Sequence, residues 1–382
     1  MRDQPIDAIS PPADAARRWP SRRLALGLSP MPRPGLVLLL VGTAFGPHGL
    51  RVLSESALAS LDPAVSVALA ALGVLVGLGI AVQRPRDGRI SGAAALETAA
   101  TLVLVAVAFR MSGRWPFSPA PISWLLAVMA GVCAVPSSAA ADAADLPGDK
   151  FTARIADIDD VAPIAIGLLA VAWTRPGTPI VLAWFVIRAG VVAIAIAFAG
   201  WLLISQTSSE SEQRVFAIGA LLLLGGAAAH LEVSALFAGL LAGVCWNAAG
   251  GAARDQIGRD MRYLQHPLVV LLLVVAGARL EIPVGLVGLI IGYAVVRLAG
   301  KRLGGWIAGR AASGGAADDL AFSPDPGFSL SSPGVIGIAI ALNVLQAGGG
   351  SAASRTLFAI VVAGSLASEL LSLLISRREA RA

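Results

Sequence analysis

Asp159 and Asp160 stand side by side in the middle of an apolar run from Phe151 to Trp173. Adjacent carboxylates in such surroundings can hold a cation or a proton. On membrane-insertion scales an Asp at a helix centre costs about 2.5–3.5 kcal/mol, while each Leu, Ile, Phe or Val returns about 0.3–0.6. The nine such residues in this run recover roughly 4–5 kcal/mol, less than the roughly 6 that two aspartates cost. This segment must therefore face a bundle interior or a watery cavity, where ionisable groups mark ion or proton paths. Successive helical residues are about 100° apart, so the two carboxylates point in different directions. Pro163, four residues after Asp159, cannot donate to its carbonyl, which leaves an oxygen beside the acids. The structural alternative is an ion pair with Arg154 or Arg188.

A counter-charge is available. Arginine supplies all but two of the basic residues, and the exceptions are Lys150 and Lys301. Lys301 shares a helix face with Arg297 at i, i+4. Arg297, Lys301 and Arg302 could all snorkel to the cytoplasmic surface, or Lys301 could pair with a carboxylate of the Asp159–Asp160 segment. Arg188 and Glu369 are possible accessories inside later spans. Glu97, near the end of a span, is expected at the membrane interface, and Asn247 and His230 as packing or interface residues. Cys133 and Cys245 fall in apolar runs and read as packing residues. His48, His230 and His266 are scattered, which argues against a zinc or haem site. The reading calls for no cofactor and no enzymatic chemistry.

The elements that must position these groups are membrane helices. Only 14% of the residues are charged, 56% are hydrophobic, and the mean hydropathy is +0.77, against about a quarter charged in soluble domains. The expected fold is all-α and integral to the membrane. With about 20 apolar residues per crossing, there are about twelve spans: Pro34–Leu50, Pro63–Val82, Ile90–Arg110, Ala120–Ala141, Phe151–Trp173, Pro179–Ser205, Arg214–Leu231, Val233–Asn247, His266–Glu281, Pro283–Ala308, Leu330–Gln346 and Thr356–Ile375. Eighteen basic residues fall on one side and six on the other, so both termini are expected in the cytoplasm of a multi-pass inner (plasma) membrane protein. The net charge of +5 reflects this topology and does not imply nucleic acid. Residues 1–33 read as a Pro/Arg-rich cytoplasmic tail without a cleaved signal. Residues 34–376 form one transmembrane domain and 377–382 a short tail. Gly309–Phe328 reads as a loop.

Two spans are broken. The fourth is interrupted at Val135-Pro136-Ser137-Ser138, and the eleventh opens Ser331-Ser332-Pro333-Gly334. Breaks in matching places of two halves suggest inverted repeats whose discontinuous helices cross near the midplane. Uncompensated helix ends would meet there, so charged side chains nearby become useful. The plainer alternative is two helices with Pro near an end.

Together these residues resemble the monovalent cation/proton antiporters. Ala156-Asp157-Ile158-Asp159-Asp160-Val161-Ala162-Pro163-Ile164 resembles that family's fifth-helix motif, and Gly300-Lys301-Arg302-Leu303-Gly304 its tenth-helix motif with a conserved base. Phe45-Gly46-Pro47-His48-Gly49-Leu50 is similar to an early signature. Leu72–Leu78 and Ala238–Gly243 with Asn247 are similar to further parts of the pattern. The ordering holds over roughly residues 34–376. A first helix found in many relatives is missing, and the stretch between Ser138 and Asp159, which contains Asp142 and Asp145, is shorter. The resemblance implies dimerisation and core subdomains, a homodimer, and a core that slides to carry one site between the two faces. It implies that Asp160 binds cation and proton in turn, that Asp159 exchanges a salt bridge with Lys301, and that exchange is electrogenic.

The expected function is thus secondary active exchange of Na⁺, K⁺ or Li⁺ for H⁺ across a lipid bilayer, with the cation on Asp160. The alternatives are a sodium-coupled organic-anion symporter of the same fold and a degenerate sensor without transport. A symporter needs more polar groups than are seen, and the short fourth span keeps the sensor reading open. An intramembrane aspartyl protease would need two aspartates from facing helices, whereas these are sequence neighbours.

Overall fold

Apolar runs punctuated by Pro, Gly and Ser fold as helices, and a helix occupies each of the twelve predicted stretches. The computed structural model describes residues 33–80, 88–112, 122–137, 155–156, 158–173, 179–207, 209–313 and 330–379. The helices are α1 (Arg33–Phe45), α2 (Glu55–Ser60), α3 (Asp62–Gly79), α4 (Gly88–Ser112), α5 (Trp124–Ala134), α6 (Val161–Trp173), α7 (Pro179–Gln206), α8 (Glu210–His230), α9 (Ala235–Ala249), α10 (Gly251–Ala278), α11 (Val287–Ser313), α12 (Val335–Ala347) and α13 (Ala352–Glu379). Seven of the described helices are long and apolar enough to cross a membrane, and α1, α5, α9 and α12 supply shorter apolar segments. The chain is a multi-pass membrane protein.

Local chemistry sets several boundaries. Ser54, Ser123 and Ser234 precede α2, α5 and α9, and their hydroxyls accept the N–H groups of Ala57, Leu126 and Phe237, each at 3.2 Å. Such caps satisfy donors that a helix start leaves unpaired. Gly250 and Gly251, both at positive φ, break α9 from α10.

The helices form two packed groups. In one, α3 packs against α8, α9 and α10, with α1 on α10 and α7 on α8 and α9. In the other, α4 packs against α5 and α11, and α13 against α11 and α12. α6 and α12 contact members of both groups. Small residues permit the closest approach. A Cβ on Gly73 would run into the Leu236 carbonyl, and one on Gly239 into the Ala70 carbonyl. Gly77 and Gly243 repeat this one turn on, giving α3 and α9 a glycine-every-fourth interface. Asn247 on α9 donates its side-chain amide to the Ile80 carbonyl at the end of α3.

Two predicted boundaries are corrected. The ninth span does not begin at His266: α10 starts at Gly251, so Arg254, Arg259 and Arg262 are helical rather than in a loop. Its polar first half is held because Ile257 and Met261 are fully buried one turn apart, and Asp260 accepts from Arg214 and Gln256. The predicted Gly309–Phe328 loop begins later, since α11 continues to Ser313. Residues 1–32, Ser138, Asp142, Asp145, Lys150 and Arg154 lie outside the described residues.

Candidate functional site

The site begins where two helices stop. Pro136 has no N–H with which to continue α5, and the chain runs on without helix through Ser137. Ser331–Gly334 is likewise non-helical before α12. The two breaks lie against each other: Ser137 and Pro333 form an isolated antiparallel bridge, and Gly334 N–H donates to the Pro136 carbonyl at 3.2 Å. A side chain on Gly334 would press on the Pro136–Ser137 backbone, at 3.2–3.3 Å. One on Gly337 would run into the Cys133 carbonyl.

Arg297 of α11 reaches both breaks. Its guanidinium donates to the carbonyls of Ser331 at 2.7 Å, Pro136 at 3.1 Å and Ser332 at 3.5 Å, and to the Ser368 hydroxyl of α13 at 3.2 Å. Its planar fork suits several oxygens at once. The side chain is 1% exposed. Arg297 therefore does not snorkel to the surface.

One turn along α11, Lys301 is fully buried. Its ammonium lies 2.9 Å from Asp159 Oδ2 and 2.9 Å from Glu97 Oε1. Ser137 donates to the same Asp159 oxygen at 2.6 Å, and Thr101 donates to Glu97 Oε1 at 3.0 Å. Gly300 and Gly304 lie against Thr101 and Glu97 of α4, so that α11 comes close enough for the lysine to reach. Asp159 Oδ1 is buried with no hydrogen-bond donor among the described residues.

The aspartates are not in a regular helix, as their sequence context implied. They form a turn between helical residues 155, 156 and 158 and the start of α6 at Val161. Pro163 falls in the first turn of α6, where a missing N–H costs nothing. Asp160, 5% exposed, immediately precedes α6 and so places a carboxylate at the positive end of that helix.

Glu369 of α13 is also buried, next in sequence to Ser368 and within electrostatic reach of Arg297. Arg188 is not part of this cluster: it is exposed on α7 and donates to the Leu231 carbonyl at 3.1 Å. Glu97 is a correction. It is not interfacial but fully buried against Lys301, because α4 begins before Ile90 and turns this face to α11. An acid inside an apolar span was the signal available in the sequence. Among the described residues, no three His, Cys, Asp or Glu side chains converge as a metal-holding group.

The arrangement has an electrostatic consequence. The described cluster holds four carboxylates (Glu97, Asp159, Asp160 and Glu369) and two cations (Arg297 and Lys301). A buried carboxylate or ammonium that loses its partner costs several kcal/mol, so a proton or a cation must take the place of any partner that leaves.

No protein-family model and no curated protein matches the chain. Solved structures do. The chain is similar to the sodium proton antiporter MjNhaP1 of Methanocaldococcus jannaschii at pH 8, with a TM-score of 0.61 at 16% identity, over 89% of this chain and 91% of that one. An electron-microscopy structure of MjNhaP1 gives a TM-score of 0.59 at 14% identity, over 90% and 89%. The protein has a sodium/proton antiporter-like fold.

Proposed function

We propose that this protein is a secondary active transporter that exchanges a monovalent cation, Na⁺ or K⁺, for protons, with Asp159 and Asp160 as the binding groups. The carrying observation is the pair of adjacent buried carboxylates beside the crossing of two broken helices, with Lys301 on one aspartate of the pair. A carboxylate that takes either a proton or a cation, but not both, couples their fluxes in opposite directions. Asp160 is the cation site in this reading, and Asp159 the partner that trades Lys301 for a proton. The likeness to MjNhaP1, a sodium proton antiporter by name, supports the same activity.

The rest of the reading follows the fold. About twelve spans form two inverted repeats whose discontinuous helices meet at Pro136–Ser137 and Ser332–Pro333. The α1–α3 and α7–α10 group is the dimerisation subdomain of a homodimer, and the α4, α5, α11 and α13 group is the moving core, with α6 and α12 at the seam. The protein spans the cell inner (plasma) membrane with both termini in the cytoplasm.

Everted vesicles carrying the protein should dissipate a respiration-driven ΔpH when Na⁺, K⁺ or Li⁺ is added, and the three cations rank the substrates. Asp160→Asn should abolish the response. Undiminished exchange in that variant, or no cation-dependent proton movement in the wild type, would overturn the proposal.

A further inference from the structure

We infer that Glu97 is the second holder of Lys301, keeping that lysine charged and in place while Asp159 releases it to take a proton. The inference rests on the exchange reading and deepens it by assigning a residue that sets the proton-to-cation ratio.

Lys301 Nζ donates to Asp159 Oδ2 and forms an ion pair with Glu97 Oε1, at equal distances of 2.9 Å. All three side chains are fully buried. Were Asp159 the sole partner, its protonation would strand an ammonium away from water, a strongly unfavourable state. With Glu97 present, Asp159 can leave and Lys301 still has an ion pair.

The two pairs are not mechanically equivalent. Glu97 is braced by Thr101 from the next turn of its own helix, and α4 is packed on α11 through Gly300 and Gly304. Asp159 sits at a turn on a separate element. Of the two contacts, Lys301–Asp159 is the one that can open with little rearrangement. Glu97 acts through Lys301 and is a positioning residue.

The proton balance follows. In the proton-loaded site, Asp159 and Asp160 each carry a proton, and Lys301 remains an ammonium on Glu97. When a cation binds, both protons leave, and Asp159 returns to Lys301. Two protons then move against one cation, and Lys301 never gives up its own proton. Without the Glu97 charge, Asp159 is held ionised as the only partner of Lys301. Asp160 alone then trades, and the exchange is one for one.

The test uses the purified full-length protein in proteoliposomes with Na⁺ as the cation and an imposed membrane potential. Wild-type exchange should respond to the potential with two protons per Na⁺. Glu97→Gln should still exchange, with one proton per Na⁺ and no response to the potential, while Glu97→Asp restores the wild-type ratio. An unchanged ratio in Glu97→Gln overturns the inference and leaves the exchange reading intact. Melting of the wild type, Glu97→Gln, Asp159→Asn and the double variant supplies a readout independent of transport. Each single variant leaves Lys301 one carboxylate, so the double variant should melt well below the sum of the single losses. Additive losses overturn the sharing of Lys301. If the wild type exchanges nothing, the transport reading and the proton ratio both fall, and the melting cycle still decides the shared lysine.

Discussion

Ser137 and Pro333 face each other as an antiparallel bridge between two broken helices separated by nearly two hundred residues. Such a crossing leaves carbonyl oxygens at the end of α5 and before α12 without helical donors. Buried backbone groups need partners, and at this crossing one guanidinium supplies several of them. Arg297 is thus the keystone of the crossing, while Lys301, one turn away, serves the carboxylates.

Arg297→Ala should therefore damage the fold before it damages the chemistry. Each buried acceptor left unmade costs about 1–3 kcal/mol, and removing one partner from a buried charged network costs about 3–5 kcal/mol. Purified Arg297→Ala should melt far below the wild type. Arg297→Lys should be intermediate, since an ammonium lacks the fork that spans both breaks. Wild-type melting of Arg297→Ala would show that the crossing is held by other contacts.

The sequence exposed Asp159, Asp160 and Lys301 through their rarity and cost in apolar runs, and the two breaks through Pro136 and Pro333. It did not expose Glu97, because its partner lies about two hundred residues away and the pairing depends on which face α4 turns to α11. Arg297 was legible as a charge but not as a donor to backbone carbonyls, since those oxygens come from two distant segments. The helical first half of α10 was hidden by its charged residues. Only the burial of Ile257, Met261 and the Asp260 pair explains why it is ordered as helix.

Two glycines, Gly239 at the α3–α9 interface and Gly219 on α8, carry predictions of opposite sign. Gly239→Val places atoms where the Ala70 backbone lies, and overpacking costs about 1–3 kcal/mol, more where rigid backbone is struck. Little monodisperse protein should be recovered in mild detergent. A Cβ on Gly219 of α8 meets nothing within 4 Å. Gly219→Ala should be neutral or raise stability by up to about 1 kcal/mol, through helix propensity. Normal recovery of Gly239→Val would mean that α3 and α9 do not approach as closely as the structure shows.

A third prediction concerns the far end of α12. Arg279, which caps α10, donates to Asp62 Oδ1 at 2.6 Å and to the Leu58 carbonyl at 2.8 Å, and Gln346 in the last turn of α12 donates to the same Asp62 oxygen at 2.8 Å. This clasp joins α3 and α10 of one helical group to the short helix that starts at the crossing. Asp62 is 43% exposed against 16% for Arg279, so solvent screens the pair and its coupling is about 0.5–1 kcal/mol. A double-mutant cycle of Asp62→Asn and Arg279→Gln, read by melting, should show non-additivity of that size. The coupling should shrink at about 1 M salt, where the screening length is about 3 Å. Gln346→Ala removes a hydrogen bond but no charge, so its loss should be nearly independent of salt. Equal salt sensitivity in the two experiments would mean that Asp62 is held by charge from elsewhere and not by Arg279.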